Sequence, residues 1–251
     1  MKVIGISGKA MHGKDTCARI AQEIAASHGI LLGTWALAHP LKANVFGEAD
    51  GRYSFEEVWY EKPPEVRSTL QRRGTEQGRL KYGEALWTLQ SQAYVRLFSE
   101  NFPIDGVIFT DVRFPNEVDF IRAGGVDVNV AFQQMFTEEM ASAGWPIPGP
   151  MDVDVDPEDP VEFINKLDAE EASILRAEER TRALFGRGMA LYIESDRPTL
   201  TGIAAQHASE TSLDLLDKEK SFDGIIQNNL DVDFEGLREQ LTPYILKLFD
   251  L

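Results

Sequence analysis

The chain has a single cysteine, Cys17, in 251 residues, so no internal disulfide is possible. That fits a reducing compartment. Cys17 reads as a small buried apolar residue on a helix, not as a nucleophile. No apolar run reaches membrane-spanning length, and MKVIGISG enters a strand with no signal-peptide layout, so a cytoplasmic protein is expected. A basic stripe is missing too: the formal net charge is −16. Residues 1–130 are nearly neutral, with 15 Lys and Arg against 16 Asp and Glu. Residues 131–187 carry 5 against 13, and residues 188–251 carry 5 against 12. This argues against extensive binding to nucleic-acid backbones but leaves room for a small anion in a local arginine pocket. No internal repeat is seen. The 43% hydrophobic and 10% aromatic content is that of a globular chain.

What is present alternates between strand and helix signals. KVIGI is a short buried strand, and DTCARIAQEIAASHG follows with Cys17, Ile20, Ala21 and Ile24 at helical spacing. ILLGTWAL predicts a second strand. Pro63 to about Glu100 predicts helix with a break near Tyr82–Gly83. GVIFT is a third strand, PNEVDFIRAGG a helix opened by proline and closed by glycine, and VDVNVAF a fourth strand. Such alternation marks a parallel sheet with helices on both faces. The regularity stops near residue 132. WPIPGPMDVDVDPEDP, with five prolines, reads as an acidic loop, and a long amphipathic helix runs from about Val161 to Phe185. MALYIES resumes the sheet, and a short strand in FDGIIQN and a helix from about Phe234 close the chain. Residues 132–187 are therefore expected to be an insertion within one domain.

The informative motif is Gly8-Lys9-Ala10-Met11-His12-Gly13-Lys14-Asp15-Thr16, a G-x-x-x-x-G-K loop between a strand and a helix. Gly8 and Gly13 let the backbone wrap a phosphate, whose charge meets successive N–H groups and a helix N-terminus. Lys14 adds a mobile cation. Asp15 separates it from the hydroxyl that would serve a metal, which Thr16 supplies. Lys9 and His12 are candidates for the same nucleotide, although solvent-facing loop positions are the plainer reading. The expected fold is α/β: a P-loop NTPase-type parallel sheet flanked by helices, with a largely helical insertion.

Four further clusters point to an acceptor. AHPLKANVF follows the second strand and offers Lys42, which is also what an exposed helix lysine looks like. LQRRGTEQGR brings Gln71, Thr75 and Arg79 together with two glycines inside a helical stretch, where a packing or binding reason is expected. Trp87 lies beyond, as core or as a stacking platform. GVIFTDVRFPNE puts Asp111 just past an apolar strand, a position suited to organising magnesium. Arg113 follows for a bidentate phosphate contact, and Glu117 for the same site or for an ion pair with Arg113. QHASE offers His207, Ser209 and Glu210, with Ser209 alternatively a helix cap.

GKAMHGKDT, AHPLK, LQRRGTEQGR with Trp87, TDVRFPNEVDFIRAGG, HASE and the closing FDGIIQNNLDVDFEGLREQL, in this order, resemble bacteriophage deoxynucleoside monophosphate kinases. The resemblance covers about 1–130 and 188–251. It implies ATP and magnesium as donor, a deoxynucleoside 5′-monophosphate as acceptor, and the host cytoplasm as location. It assigns Lys14 and Thr16 to ATP and metal, and Gln71, Thr75, Arg79, Asp111 and Arg113 to the acceptor or transferring phosphate. The insertion, unmatched by the family pattern, is a candidate lid or homodimer contact. The rival readings are a kinase for modified bases in phage DNA, a kinase for another small metabolite such as dephospho-coenzyme A, and a nucleotide-binding protein without transfer activity.

Overall fold

The computed structural model describes residues 1–125, 186, 188–199 and 211–251. The apolar runs become β1 (Lys2–Ser7), β2 (Leu32–Trp35), β3 (Gly106–Val112), β4 (Met189–Glu194) and β5 (Gly224–Gln227). They form one all-parallel sheet in the order β2-β3-β1-β4-β5. β1 and β4 are buried at all but one position, because a central parallel strand is covered on both faces. The sheet does resume at Met189, with β4 paired to β1. β1 lies between β3 and β4, so the winding reverses beside it. Loops leaving the C-terminal ends of strands at such a reversal open into a crevice.

The helices are α1 (Lys14–Ser27), α2 (His39–Glu48), α3 (Pro64–Gly74), α4 (Leu80–Tyr82), α5 (Leu86–Asn101), α6 (Pro115–Ala123), α7 (Lys218–Ser221) and α8 (Phe234–Phe249). α1 and α8 cover one sheet face, packing Cys17, Ile20, Ile24, Leu237, Leu241 and Ile245 on Ile4, Ile6, Ile108, Leu191 and Ile193. α5 and α6 supply Val95, Val118, Phe120 and Ile121 to the other face, against Val3, Val107, Phe109 and Tyr192. Between β2 and β3 the chain also makes two π-helical turns, Glu57–Glu61 and Thr75–Arg79. A third, small core joins this helical region through Leu41, Val45 and Trp87. The two glycines of LQRRGTEQGR serve it. A Cβ at Gly74 would lie 2.9 Å from Leu41, and one at Gly78 2.7 Å from the Trp87 ring.

Among the described residues no helix is long and apolar enough to cross a membrane. The expected strand VDVNVAF, the acidic proline-rich loop and the helix after Val161 lie outside the described residues.

Candidate functional site

The Gly8–Thr16 loop joins β1 to α1 at the C-terminal edge of the sheet. Two positions in it are closed to any other side chain. Gly8 has φ 139°, and a Cβ there would sit 2.6 Å from the Ile193 carbonyl oxygen. Gly13, which caps α1, has φ 85°, and a Cβ would sit 2.3 Å from Asn228 Nδ2. Asn228, 1% exposed at the end of β5, donates from Nδ2 to the His12 carbonyl at 2.8 Å. The ring of His12 is buried, and its Nδ1 lies 3.3 Å from the Ile193 carbonyl oxygen, to which it donates when that nitrogen carries the proton. Burial pushes the His12 pKa below 6.5, helped by nearby Lys14 and Lys9. The solvent-facing position expected for His12 is thus corrected: the ring anchors the loop to β4 because the loop folds back over that strand.

Lys14 Nζ donates to the Gly8 and Lys9 carbonyls, each at 2.8 Å, so its ammonium curls over the loop it belongs to. Lys9 pairs with Asp214 at 3.1 Å and is itself partly exposed. Asp15 is exposed and Thr16 half-buried in the first turn of α1. Cys17, beside them, is fully buried, and burial pushes its thiol up to about 12 against the pull of Arg197. The thiol therefore stays protonated and unreactive.

At the end of β3, Asp111 accepts from Leu37 N at 2.6 Å and Ala38 N at 3.1 Å. Those N–H groups open the turn into α2, so one carboxylate ties β3 to the helix that carries Lys42. Lys42 and Lys62 are both half-buried, and burial lowers both pKa values below 10.5. Each feels the other or a neighbouring cation: Lys42 feels Lys62 and Arg113, and Lys62 feels Arg67 and Arg113. Both are also within electrostatic reach of Asp15 and Asp111, which favour their charged forms. Lys42, Lys62 and Arg113 thus lie within electrostatic reach of one another, with Asp15 and Asp111 offsetting their mutual repulsion. His39 belongs to the same neighbourhood, and burial keeps it neutral more readily than a free imidazole.

Lys62 was not evident in the sequence. It ends the first π-helical turn with φ 49° and ψ 63°, a left-handed conformation that costs a residue with a Cβ about 1–3 kcal/mol. Its short context, Glu61-Lys62-Pro63-Pro64, carries no motif; only the fold brings it to Lys42. Asn228 was also missed, since it acts on the loop from the end of β5, far along the chain.

Arg79 and Glu117, expected at the acceptor, bond to each other as a buried ion pair. The guanidinium lies 3.8 Å over the Phe114 ring and donates to the Glu84 carbonyl and Asn116 Oδ1, both at 3.2 Å. The other Glu117 oxygen accepts from Arg113 N at 2.6 Å and Phe114 N at 3.1 Å, the carboxylate half of a capping box at the start of α6, while Glu117 N donates to the Phe114 carbonyl. Burial raises the Glu117 pKa, and Arg79 and these N–H groups oppose the rise. Trp87 donates to the Gly74 carbonyl at 2.8 Å and walls a cavity of about 570 Å³ that Asn44, Glu48, Gln77 and Gln90 also line. Gln71 and Thr75 are half-buried on α3 and the turn after it. His207, Ser209 and Glu210 lie outside the described residues.

Among the described residues no group of three or more His, Cys, Asp or Glu side chains could hold a metal ion. Magnesium held by one or two protein oxygens and a nucleotide's phosphates needs no such cage. Thr16 and Asp111 are oxygen donors of that kind. Comparison with protein-family models and with curated proteins gave no match.

Proposed function

We propose that the protein is a P-loop kinase that transfers the γ-phosphoryl group of ATP to a deoxynucleoside 5′-monophosphate. The observation that carries this reading is the pairing of two anion-suited sites at one edge of the sheet. One is the glycine-shaped loop with Lys14. The other is the half-buried Lys42–Lys62–Arg113 group beside Asp111 and Asp15. A hydrolase of ATP alone would have no use for a second, half-buried cation cluster, whereas a monophosphate acceptor brings about two negative charges at neutral pH.

Phosphoryl transfer of this kind rests on positioning and charge neutralisation. The Gly8–Thr16 backbone and Lys14 hold the β- and γ-phosphates. The acceptor phosphate, already ionised, attacks in line without a strong general base. Arg113 spans the acceptor or transferring phosphate, and Gln71 and Thr75 complete the acceptor side. Thr16 and Asp111 are the residues that would hold magnesium, which supplies neutralisation of phosphate charge. The Arg79–Glu117 pair fixes the turn that carries Asp111 and Arg113, so its effect on the acceptor is through position. A panel assay with ATP and each deoxynucleoside monophosphate, an oligonucleotide and dephospho-coenzyme A tests the proposal. Transfer to the oligonucleotide or coenzyme A precursor alone would replace the acceptor, and no transfer to any would leave a nucleotide-binding protein.

Arg113→Lys is expected to lower kcat/KM by at least about tenfold, because an ammonium cannot reproduce a bidentate guanidinium contact. Wild-type rates in a folded R113K protein would reduce Arg113 to an ordinary surface cation. Acceptor affinity should also fall with rising pH earlier than a solvent lysine would dictate. Burial holds Lys42 and Lys62 below 10.5, so their charge is present at low pH and lost as pH climbs through the lowered values. Their surroundings, His39, Arg67, Arg113, Asp15 and Asp111, set where that happens. The check is KM for the monophosphate across pH 7–10, compared with Lys62→Met. An identical pH profile in the variant would remove Lys62 from the binding step.

A further inference from the structure

An aromatic cluster lies next to the cation group and has no part in the three cores formed by the described residues. Phe55 and Trp59 stack with ring centroids 4.4 Å apart and planes at 13°. Phe46 meets both edge-on, at 6.2 Å from Phe55 and 5.8 Å from Trp59, and Tyr60 lies 6.1 Å from Phe55. A buried cluster of this size would be unremarkable. This one faces water: Phe46 is 40%, Phe55 50% and Tyr60 66% exposed. Large aromatic groups grouped at a surface mark a contact site.

Its position says what kind. Phe46 is one turn of α2 beyond Lys42, so the two side chains leave the same face of the helix. Trp59 belongs to the π-helical turn that Lys62 ends, three residues before it. The ring contact between Phe46 and Trp59 therefore draws Lys42 and Lys62 together from two elements, and the left-handed backbone of Lys62 turns the chain at that point. The cations and the rings are continuous along one side of α2. The Trp87 cavity takes a different side, through Leu41, Asn44, Val45 and Glu48, about a quarter-turn round the helix from Lys42. The rings lie along the Lys42 face of α2, whereas most of the cavity lining belongs to the neighbouring face.

We infer that the exposed Phe46–Phe55–Trp59 surface is a stacking platform for the aromatic base of the acceptor nucleotide, whose phosphate rests on Lys42 and Lys62. The inference depends on the acceptor being a nucleoside monophosphate, as proposed above. Stacking is tolerant of base identity because every base has a π-face, so the platform implies weak discrimination among the deoxynucleoside monophosphates.

The test is calorimetric titration of each deoxynucleoside monophosphate, and of deoxyribose 5-phosphate as a probe without a base, into wild type, Trp59→Leu, Trp59→Phe and Phe55→Ala. All three side chains are at least partly exposed, and unchanged circular dichroism confirms folding of the variants. Trp59→Leu and Phe55→Ala should weaken every nucleotide by at least about fivefold. Trp59→Phe should recover most of the loss, and deoxyribose 5-phosphate should bind all four proteins alike. Nucleotide affinity unchanged by Trp59→Leu, with wild type still binding, would overturn the platform alone and move the base elsewhere. Wild type that binds ATP but no monophosphate would overturn the acceptor assignment and the platform together. Sedimentation of wild type and Trp59→Leu covers the remaining occupant: a dimer lost in the variant, with nucleotide affinity intact, would make the surface a contact between two copies and reject the inference.

Discussion

Lys14→Ala is expected to lower kcat for phosphoryl transfer by at least about a hundredfold while the melting temperature changes little. The size follows from what the ammonium does. It is the mobile cation of a loop whose other donors are backbone N–H groups. Loss of one preorganised charge at the developing transition state costs about two to three orders of magnitude in rate. The small thermal effect follows from its two contacts. The Gly8 and Lys9 carbonyls that accept from it are half-exposed, so water replaces the ammonium when it is removed. The loop keeps its other anchors, the Asn228 hydrogen bond to the His12 carbonyl and the close seat of Gly8 on Ile193. Steady-state turnover and a thermal melt on the same preparation decide it. Near-normal turnover in a folded K14A protein would reject the phosphate-loop assignment outright.

The elements that sequence reasoning located are those whose cause is local. KVIGI and MALYIES are strands because their apolar runs can only be buried on both faces, and both became central strands. Pro115 and Gly124 bracket α6 as expected, proline with its fixed φ and glycine with φ 78°. Gly83, at φ 91°, makes the expected break near Tyr82. The loop glycines were legible for the same reason. What was not legible depends on partners distant in sequence. The π-helical turns at Glu57–Glu61 and Thr75–Arg79 have no periodic signature. Lys62 matters only because Lys42 and Arg113 arrive from other elements. Glu117 has Arg113 four residues away, which suggested a local pair, yet its carboxylate takes the guanidinium of Arg79 from 38 residues away. His12 looked like a loop residue at the surface until β4 supplied the carbonyl beside its ring.

Glu117→Ala should be the most destabilising single change on the acceptor side, costing about 3–5 kcal/mol. Glu117 is 3% exposed and satisfies three donors: the guanidinium of Arg79 and the backbone N–H groups of Arg113 and Phe114. Alanine leaves Arg79, itself 8% exposed, as a buried charge without its carboxylate. It also strips the first turn of α6 of its capping acceptor. A domain with about 5–15 kcal/mol of net stability loses a large share of it. For a chain of this length the melting temperature should fall by about 6–20 °C. Glu117→Gln should cost less, since its amide oxygen still accepts from one donor. The double variant Arg79→Met/Glu117→Gln should recover most of the melting temperature, because it removes both buried charges while the amide oxygen still accepts at the start of α6. The double variant also separates fold from function. With its stability restored, a raised KM for the monophosphate and an unchanged KM for ATP would mark the pair as positioning Asp111 and Arg113. A thermal melt of E117A that coincides with wild type would show that the pair does not support the fold, and an unchanged KM for the monophosphate would remove it from the site as well.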